Sequence, residues 1–314
     1  MAVTIAGAPG LGLVLPPSVP PGQLWPAVET ADRGGFDSVW VTDRTIAGTP
    51  WLEAHTLLGA VAARTERVRI GTSVLCIARR NPVLTAHALA TADHLSGGRL
   101  VAGVGLGGLE PAEYAIAGVP IASRGALTDE YLGLVRRLWQ EESVDHHGPG
   151  FRCEGISIAP RPAAPVPLWI GGNSPAAYRR AGRLGDGWIS VFAGPDGFRD
   201  GWEQVLAQAE AAGRDPQPLT PAVHLFAAIG TRPGQAEAVL EPAVRALLGA
   251  GLDQYGDACL YGTPDRWTDT IGRFAEAGAR QINVLLFGDG LARDTETIAL
   301  EVIPQLGPRT ATPA

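Results

Sequence analysis

The chain has 314 residues, 46% of them hydrophobic, and a formal net charge of −7. This is ample material for a core, with no basic block to form a nucleic-acid footprint and no apolar run near the ~20 residues that span a bilayer. All 25 basic residues are arginine, so Schiff-base lysine chemistry is excluded; Cys76, Cys153 and Cys259 lie far apart without metal-ligand spacing, which argues against disulfides and zinc.

The N-terminal MAVTIAGAPG has no basic n-region, and we expect a cytoplasmic protein rather than a secreted one. Leu11 to Leu15 reads as a first strand, and Gln23 to Gly34 as a helix stopped at Gly34-Gly35. Ser38 to Thr42 is a second strand, about Leu52 to Arg64 a helix, and Val68 to Cys76 a third strand. Asn81 to Gly108 (NPVLTAHALATADHLSGGRLVAGVGLGG) is the most informative stretch. Pro82 suits a first helical turn, and Val83, Ala86, Leu89, Ala90 and Leu95 recur at helical spacing as one apolar stripe. Gly97-Gly98 ends that helix. Leu100 to Val104, apolar without alternation, fits a strand covered on both faces.

Gly103 to Gly108 also matches the G-x-G-x-x-G pattern of dinucleotide folds. That reading fails on context. Pro111 interrupts the segment that should continue as a helix, and the acids at suitable distance, Asp129 and Glu130, lie in a helical pattern rather than at a strand end.

Arg124 to Gln140 is a helix with Leu127, Tyr131, Leu134, Val135 and Leu138 inward, after which Glu141 to Val166 reads as an insertion rich in proline and glycine. Alternation resumes with a strand at Pro167 to Ile170, a helix at Pro175 to Leu184 and a strand at Gly187 to Phe192. Helix follows at about Phe198 to Ala212, strand at Val223 to Ile229, helix at Pro264 to Gly278 and strand at Gln281 to Phe287, before a C-terminal helix. Eight alternating units predict an α/β fold, a closed (β/α)8 TIM barrel spanning 1–314 as one domain.

In such a barrel the site lies where strands end, here Asp43-Arg44, Ser73 to Cys76, Gly105 to Glu113, Gly171 to Ser174 and Ser190 to Pro195. Gly171-Gly172-Asn173-Ser174-Pro175 is a glycine turn with Ser174 placed to cap a helix, which makes either a phosphate site or a plain tight turn. Trp51, Tyr114 and Phe192 are candidates for an apolar substrate pocket or for the core. Cys76 is a candidate pocket residue or a buried thiol. His55, His87, His94, His146 and His147 fit structural or surface positions, while His224 falls within a barrel strand.

Five blocks, GGFDSVWVTDR, ARTERVRIGTSV, RRNPVLTAHALATADHLSGGRLVAGVGLG, PVPLWIGGNSPAAYRRAGRLGDGWI and YGTPDRWTDTIGRFAEAGARQINVLL, resemble those of the luciferase-like monooxygenase superfamily, in the same order. The pattern is most similar to the branch that uses the deazaflavin coenzyme F420, with the flavin mononucleotide (FMN) branch close behind. The resemblance implies a barrel of the bacterial-luciferase type and a hydride transfer between F420 and a small organic substrate. It also implies a homodimer. The alternatives are an FMN-dependent monooxygenase that uses dioxygen and takes reduced flavin from a separate reductase, and a flavin-binding barrel without catalysis.

By the same resemblance, Ser73-Val74 match the strand bulge, with its non-proline cis peptide, that lies against the cofactor ring. Gly107 and Gly108 match the loop near the ring, and Gly171, Gly172, Asn173 and Ser174 the phosphate turn. Asp43 matches an acid at the ring edge. Arg44 stands where many relatives carry a histidine acid/base, and a guanidinium, always protonated in proteins, does not shuttle protons near neutrality. Glu110, Glu113 or a substrate group remain as proton partners. Glu113 resembles a family acid just past the fourth strand, and a solvated glutamate at a helix start fits it equally.

Overall fold

The computed structural model describes residues 7–46, 48, 50–107 and 110–307. Among them, strands β1 (Gly10–Val14), β2 (Ser38–Val41), β3 (Arg69–Thr72) and β4 (Leu100–Val104) are followed by a hairpin of β5 (Val144–His147) and β6 (Arg152–Ile156). Then come β7 (Leu168–Gly171), β8 (Gly187–Val191), β9 (Thr220–Ile229), β10 (Cys259–Gly262) and β11 (Gln281–Leu286). Helices are α1 (Pro21–Arg33), α2 (Ala54–Arg64), α3 (Pro82–Ser96), α4 (Pro111–Ile116), α5 (Arg124–Gln140) and α6 (Pro175–Leu184). The rest are α7 (Pro195–Ala211), α8 (Gln235–Leu248), α9 (Leu252–Tyr255), α10 (Pro264–Glu276) and α11 (Leu291–Thr297).

The eight strands β1, β2, β3, β4, β7, β8, β9 and β11 run parallel, and the pairing of β8 with β9 closes the expected barrel. Their outward side chains, such as Leu11, Leu13 and Val39, join the helices in one core, and this double coverage is why the strands read as unbroken apolar runs. Inside, Val14, Trp40, Val101, Trp169, Ile189 and Ala222 pack together, with the two indoles 5.4 Å apart. Gly71 and Gly187 make room for them, since a Cβ there would press on the Trp40 and Trp169 rings respectively.

The helix ends follow their chemistry. Asn81 accepts hydrogen bonds from the Val83 and Leu84 amides at the start of α3, and Gly97 leaves it at φ +70. That left-handed turn is open to glycine at little cost. Leu95, expected on the buried stripe of α3, is instead 55% exposed, while Thr85, Ala92 and Asp93 are buried.

Three further expectations need correction. The third strand breaks after Thr72: Leu75 rejoins the sheet opposite Val104, and Ser73-Val74 between them leave it. The insertion is not formless, for it holds the antiparallel β5/β6 hairpin, moored by Glu130 to the Gly150 and Phe151 amides at 2.9 and 3.0 Å. A ninth parallel strand, β10, pairs with the C-terminal part of β9 from Phe226 to Ile229, after an additional helix, α8.

Candidate functional site

The C-terminal ends of the barrel strands meet around the break in β3. The Ser73 amide still donates to Val41 O at 2.8 Å, and the Leu75 amide donates to Gly103 O at 2.8 Å, so the excursion is pinned at both ends. Between them the Ser73–Val74 peptide is cis, as the resemblance implied. The Val74 side chain sits between two glycines. A Cβ on Gly105 would strike its Cγ2, and one on Gly171 would lie 2.8 Å from its Cγ1. Ser73 Oγ shares a 2.9 Å hydrogen bond with His224 Nδ1 across the barrel. Burial pushes the His224 pKa down to about 4, so its imidazole is neutral around pH 7.

Beside this floor lies an ionic cluster. The Asp43 carboxylate, 1% exposed, accepts from Arg79 Nη2 at 3.0 Å, Arg80 Nη2 at 2.5 Å and the Cys76 amide at 2.9 Å. Arg79 also pairs with Glu113, which in turn accepts from the Thr45 and Ile46 amides at 2.6 and 3.0 Å. Glu113 is thus neither solvated nor open as a proton partner; it is 5% exposed and ties the segment after β2 to Arg79. Asp43 is likewise committed to two guanidinium groups. Arg79 and Arg80, which the sequence reading passed over, hold this side of the mouth; their visible sign was the pair of adjacent arginines before Asn81-Pro82.

Arg44 Nε donates to Ile46 O at 3.0 Å, and its guanidinium lies over the Trp51 ring, 5.8 Å from the centroid. Among the described residues no carboxylate pairs with it. Glu110 stands at the start of α4, half-buried and without a capping bond from its side chain. Cys76 does not line the mouth as a reactive group: it is 1% exposed, and burial pushes its thiol up to about 12. Gly107, at φ +70, crosses its sulfur so closely that a Cβ would come within 2.6 Å of Sγ. Tyr114 is also inside, 1% exposed, donating its hydroxyl to Leu106 O. Gly108 lies outside the described residues.

The turn after β7 leads tightly into a capped helix start. Gly172 takes φ +120, Ser174 Oγ accepts from the Ala177 amide at 3.2 Å, and Pro175 opens α6. The first turn of a helix leaves amides without intrahelical partners, and its dipole favours negative charge. Trp188 braces the turn, donating from Nε1 to Gly172 O at 2.8 Å. The Asn173 side chain is taken: its Nδ2 donates to Val191 O at 2.6 Å, and its Oδ1 accepts from Ser190 Oγ. Only backbone groups of Asn173 remain for a phosphate.

A floor formed by Val74 between two glycines, joined through Gly171 to a turn with free helix-start amides, fits a planar ring carrying a phosphate chain. The sequence profile of the luciferase-like monooxygenases matches residues 12–257. The chain belongs to this family. An F420-dependent glucose-6-phosphate dehydrogenase of Intrasporangium calvum is 29% identical over 320 residues, covering 91% of this chain and 95% of the relative. A protein of the same name from Nakamurella multipartita is 38% identical over 183 residues, so that match spans 54% of this chain and about half, 52%, of the relative. Among solved structures, an F420-dependent secondary alcohol dehydrogenase in complex with an F420-acetone adduct superimposes with a TM-score of 0.87 at 23% identity, over 95% of this chain and 99% of that one. This last likeness confirms the fold of the family member.

Of the other histidines, His87 Nε2 meets Ala159 O at 3.1 Å and His146 Nε2 meets Glu130 at 2.8 Å, while the buried His55 Nε2 has no hydrogen-bond partner among the described residues. The structure therefore brings together Asp43, Arg44, Ser73, Val74, Gly107, Glu113, Gly171, Gly172 and Ser174 around one barrel end, with Trp51 and Glu110 on the adjoining segments.

Proposed function

We propose that this family member is an oxidoreductase that moves a hydride between coenzyme F420 and a small organic substrate. The observation that carries the reading is the Val74 side chain held between Gly105 and Gly171, because it joins the ring floor to the phosphate turn in one rigid unit. When bound, F420 supplies the ring carbon that gives or accepts the hydride. The residues do the rest. Val74 supports one face of the ring, the Gly171–Ser174 turn and the start of α6 hold the phosphate, and Gly107 closes in on the ring edge. The names of the curated relatives support F420 in this place.

Arg44 contributes a permanent charge and cannot carry a proton. With Asp43 and Glu113 bound to arginines, Glu110 is the carboxylate we assign to the proton that accompanies the hydride. We further infer a cytoplasmic homodimer; its three cysteines are free, which suits a reducing compartment. No helix among the described residues is long and apolar enough to cross a membrane.

The test is a pair of tryptophan-fluorescence titrations with oxidised F420 and with FMN. Tight, selective F420 binding is the expected result. Selective FMN binding would replace this reading by a two-component monooxygenase, and binding of neither would leave a barrel without this chemistry.

A further inference from the structure

The inward face of β9 climbs from the floor to the mouth. His224 marks its lower end, bonded to Ser73 of the floor, and strand alternation makes Phe226 the next residue on the same face. Phe226 meets Phe192 and Phe287 edge to face, with both centroid distances 5.2 Å. Phe192 directly follows β8 and Phe287 directly follows β11, while Phe226 lies three residues before the end of β9, so three neighbouring strands each bring a phenylalanine to this end of the barrel. All three remain partly exposed, Phe192 most at 43%. Leu240 and Val244 of α8 belong to the cluster against which Phe226 and Phe287 pack, so the wall has a solid back.

Phe192 also occupies φ +57, a left-handed conformation that disfavours an L side chain and that glycine adopts freely. An exposed aromatic ring kept at such a position points to a use for the ring. Charge gives the second argument. The chain has no lysine, and Arg79 and Arg80 are spent on Asp43, Glu113 and Glu53. Arg293 pairs with Asp294 at 2.9 Å and Arg266 with Glu237 at 2.7 Å. Arg44 follows β2, which β11 and β1 separate from β9, and Arg232 lies in the exposed turn three residues past β9. A substrate phosphate dianion set against the phenylalanines would lose water without enough donors to replace it.

We infer that the phenylalanine wall selects a substrate with an apolar body, an aromatic or alicyclic secondary alcohol or its ketone, in preference to a sugar phosphate. This rests on the function proposed above for its hydride partner. In the oxidative direction the carbinol C–H bond breaks, its electron pair passes as hydride to oxidised F420, and the C–O bond becomes a carbonyl. The hydroxyl proton goes to Glu110.

The experiment has two parts. First, acetophenone is titrated into the protein with and without saturating F420, following the thermal midpoint and tryptophan fluorescence. Second, KM is measured for 1-phenylethanol and for glucose 6-phosphate with F420 as acceptor. The expected result is acetophenone binding and a KM for 1-phenylethanol at least about tenfold lower than for glucose 6-phosphate. Phe192→Gly should raise the acetophenone Kd about tenfold while leaving the thermal midpoint equal or higher, and Phe192→Leu should recover part of the affinity. A preference for glucose 6-phosphate, an absence of acetophenone binding, or an unchanged Kd in Phe192→Gly overturns the inference. Failure of F420 itself to bind overturns the proposed function instead, and the acetophenone titration of the protein alone still decides whether the wall binds an apolar body.

Discussion

His224 shows how one buried side chain sets a pH dependence. Its ordinary pKa of 6.5 applies to the unfolded chain, whereas burial lowers the folded value to about 4. Unfolding therefore takes up a proton between these values, and stability falls as pH drops from 6.5 towards 4 by about 3 kcal/mol. Urea unfolding between pH 4 and 7 should show this slope, and His224→Gln should lose most of it; equal slopes in the two proteins would mean that His224 is charged in the fold. Arg79 sets a stronger constraint, because it lies between two buried carboxylates. Arg79→Met leaves Asp43 and Glu113 in one site without that cation, and a loss of about 3–5 kcal/mol is expected on denaturant unfolding. A loss below about 1 kcal/mol would show that the cluster relaxes or takes up protons instead.

Among elements, the critical contact is between the end of β7 and the break in β3. Gly171→Ala places a methyl group 2.8 Å from Val74 Cγ1, so one of the two must move. Overpacking of this kind costs about 1–3 kcal/mol. Since Val74 supports the proposed ring position, F420 affinity should fall by at least about tenfold, the equivalent of 1.4 kcal/mol. Unchanged F420 binding in a folded Gly171→Ala protein would separate the bulge from the cofactor. Strand β3 also shows where sequence patterning fails. From Val68 to Cys76 almost every residue is apolar or small, so no change of period announces the departure at Ser73-Val74; the superfamily resemblance announced it. In α3 the stop at Gly97 was legible because glycine is the residue that takes φ +70 there without cost. The exposure of Leu95 was not legible, because a periodic stripe does not say which neighbours come close enough to cover its last turn.

For the molecule as a whole, packing buries two of the three thiols, Cys76 under Gly107 and Cys259 of β10 against α8. Cys76 and Cys259 are 1% and 3% exposed, and Cys153 lies in the hairpin, half-buried. An aromatic disulfide reagent at pH 8 should therefore label one thiol in the native protein and three in guanidinium, and reductant should leave the thermal midpoint unchanged. Rapid labelling of all three under native conditions would mean that the barrel opens on that timescale.

The sequence by itself determined the alternation of strands and helices, the glycine turns, the proline-led start of α3, the capped start of α6 and the family, because these rest on local periodicity and on backbone conformations that few residues permit. It also placed Asp43, Arg44 and Glu113 at strand ends. What Asp43 and Glu113 do there was decided by the tertiary structure. Arg79, some 34 to 36 residues away from each in sequence, claims both carboxylates and removes them as proton carriers. In the same way Phe192, Phe226 and Phe287 become one wall because barrel closure sets β8, β9 and β11 side by side. Such pairings depend on distances between segments remote in sequence, and no local pattern of residues records them.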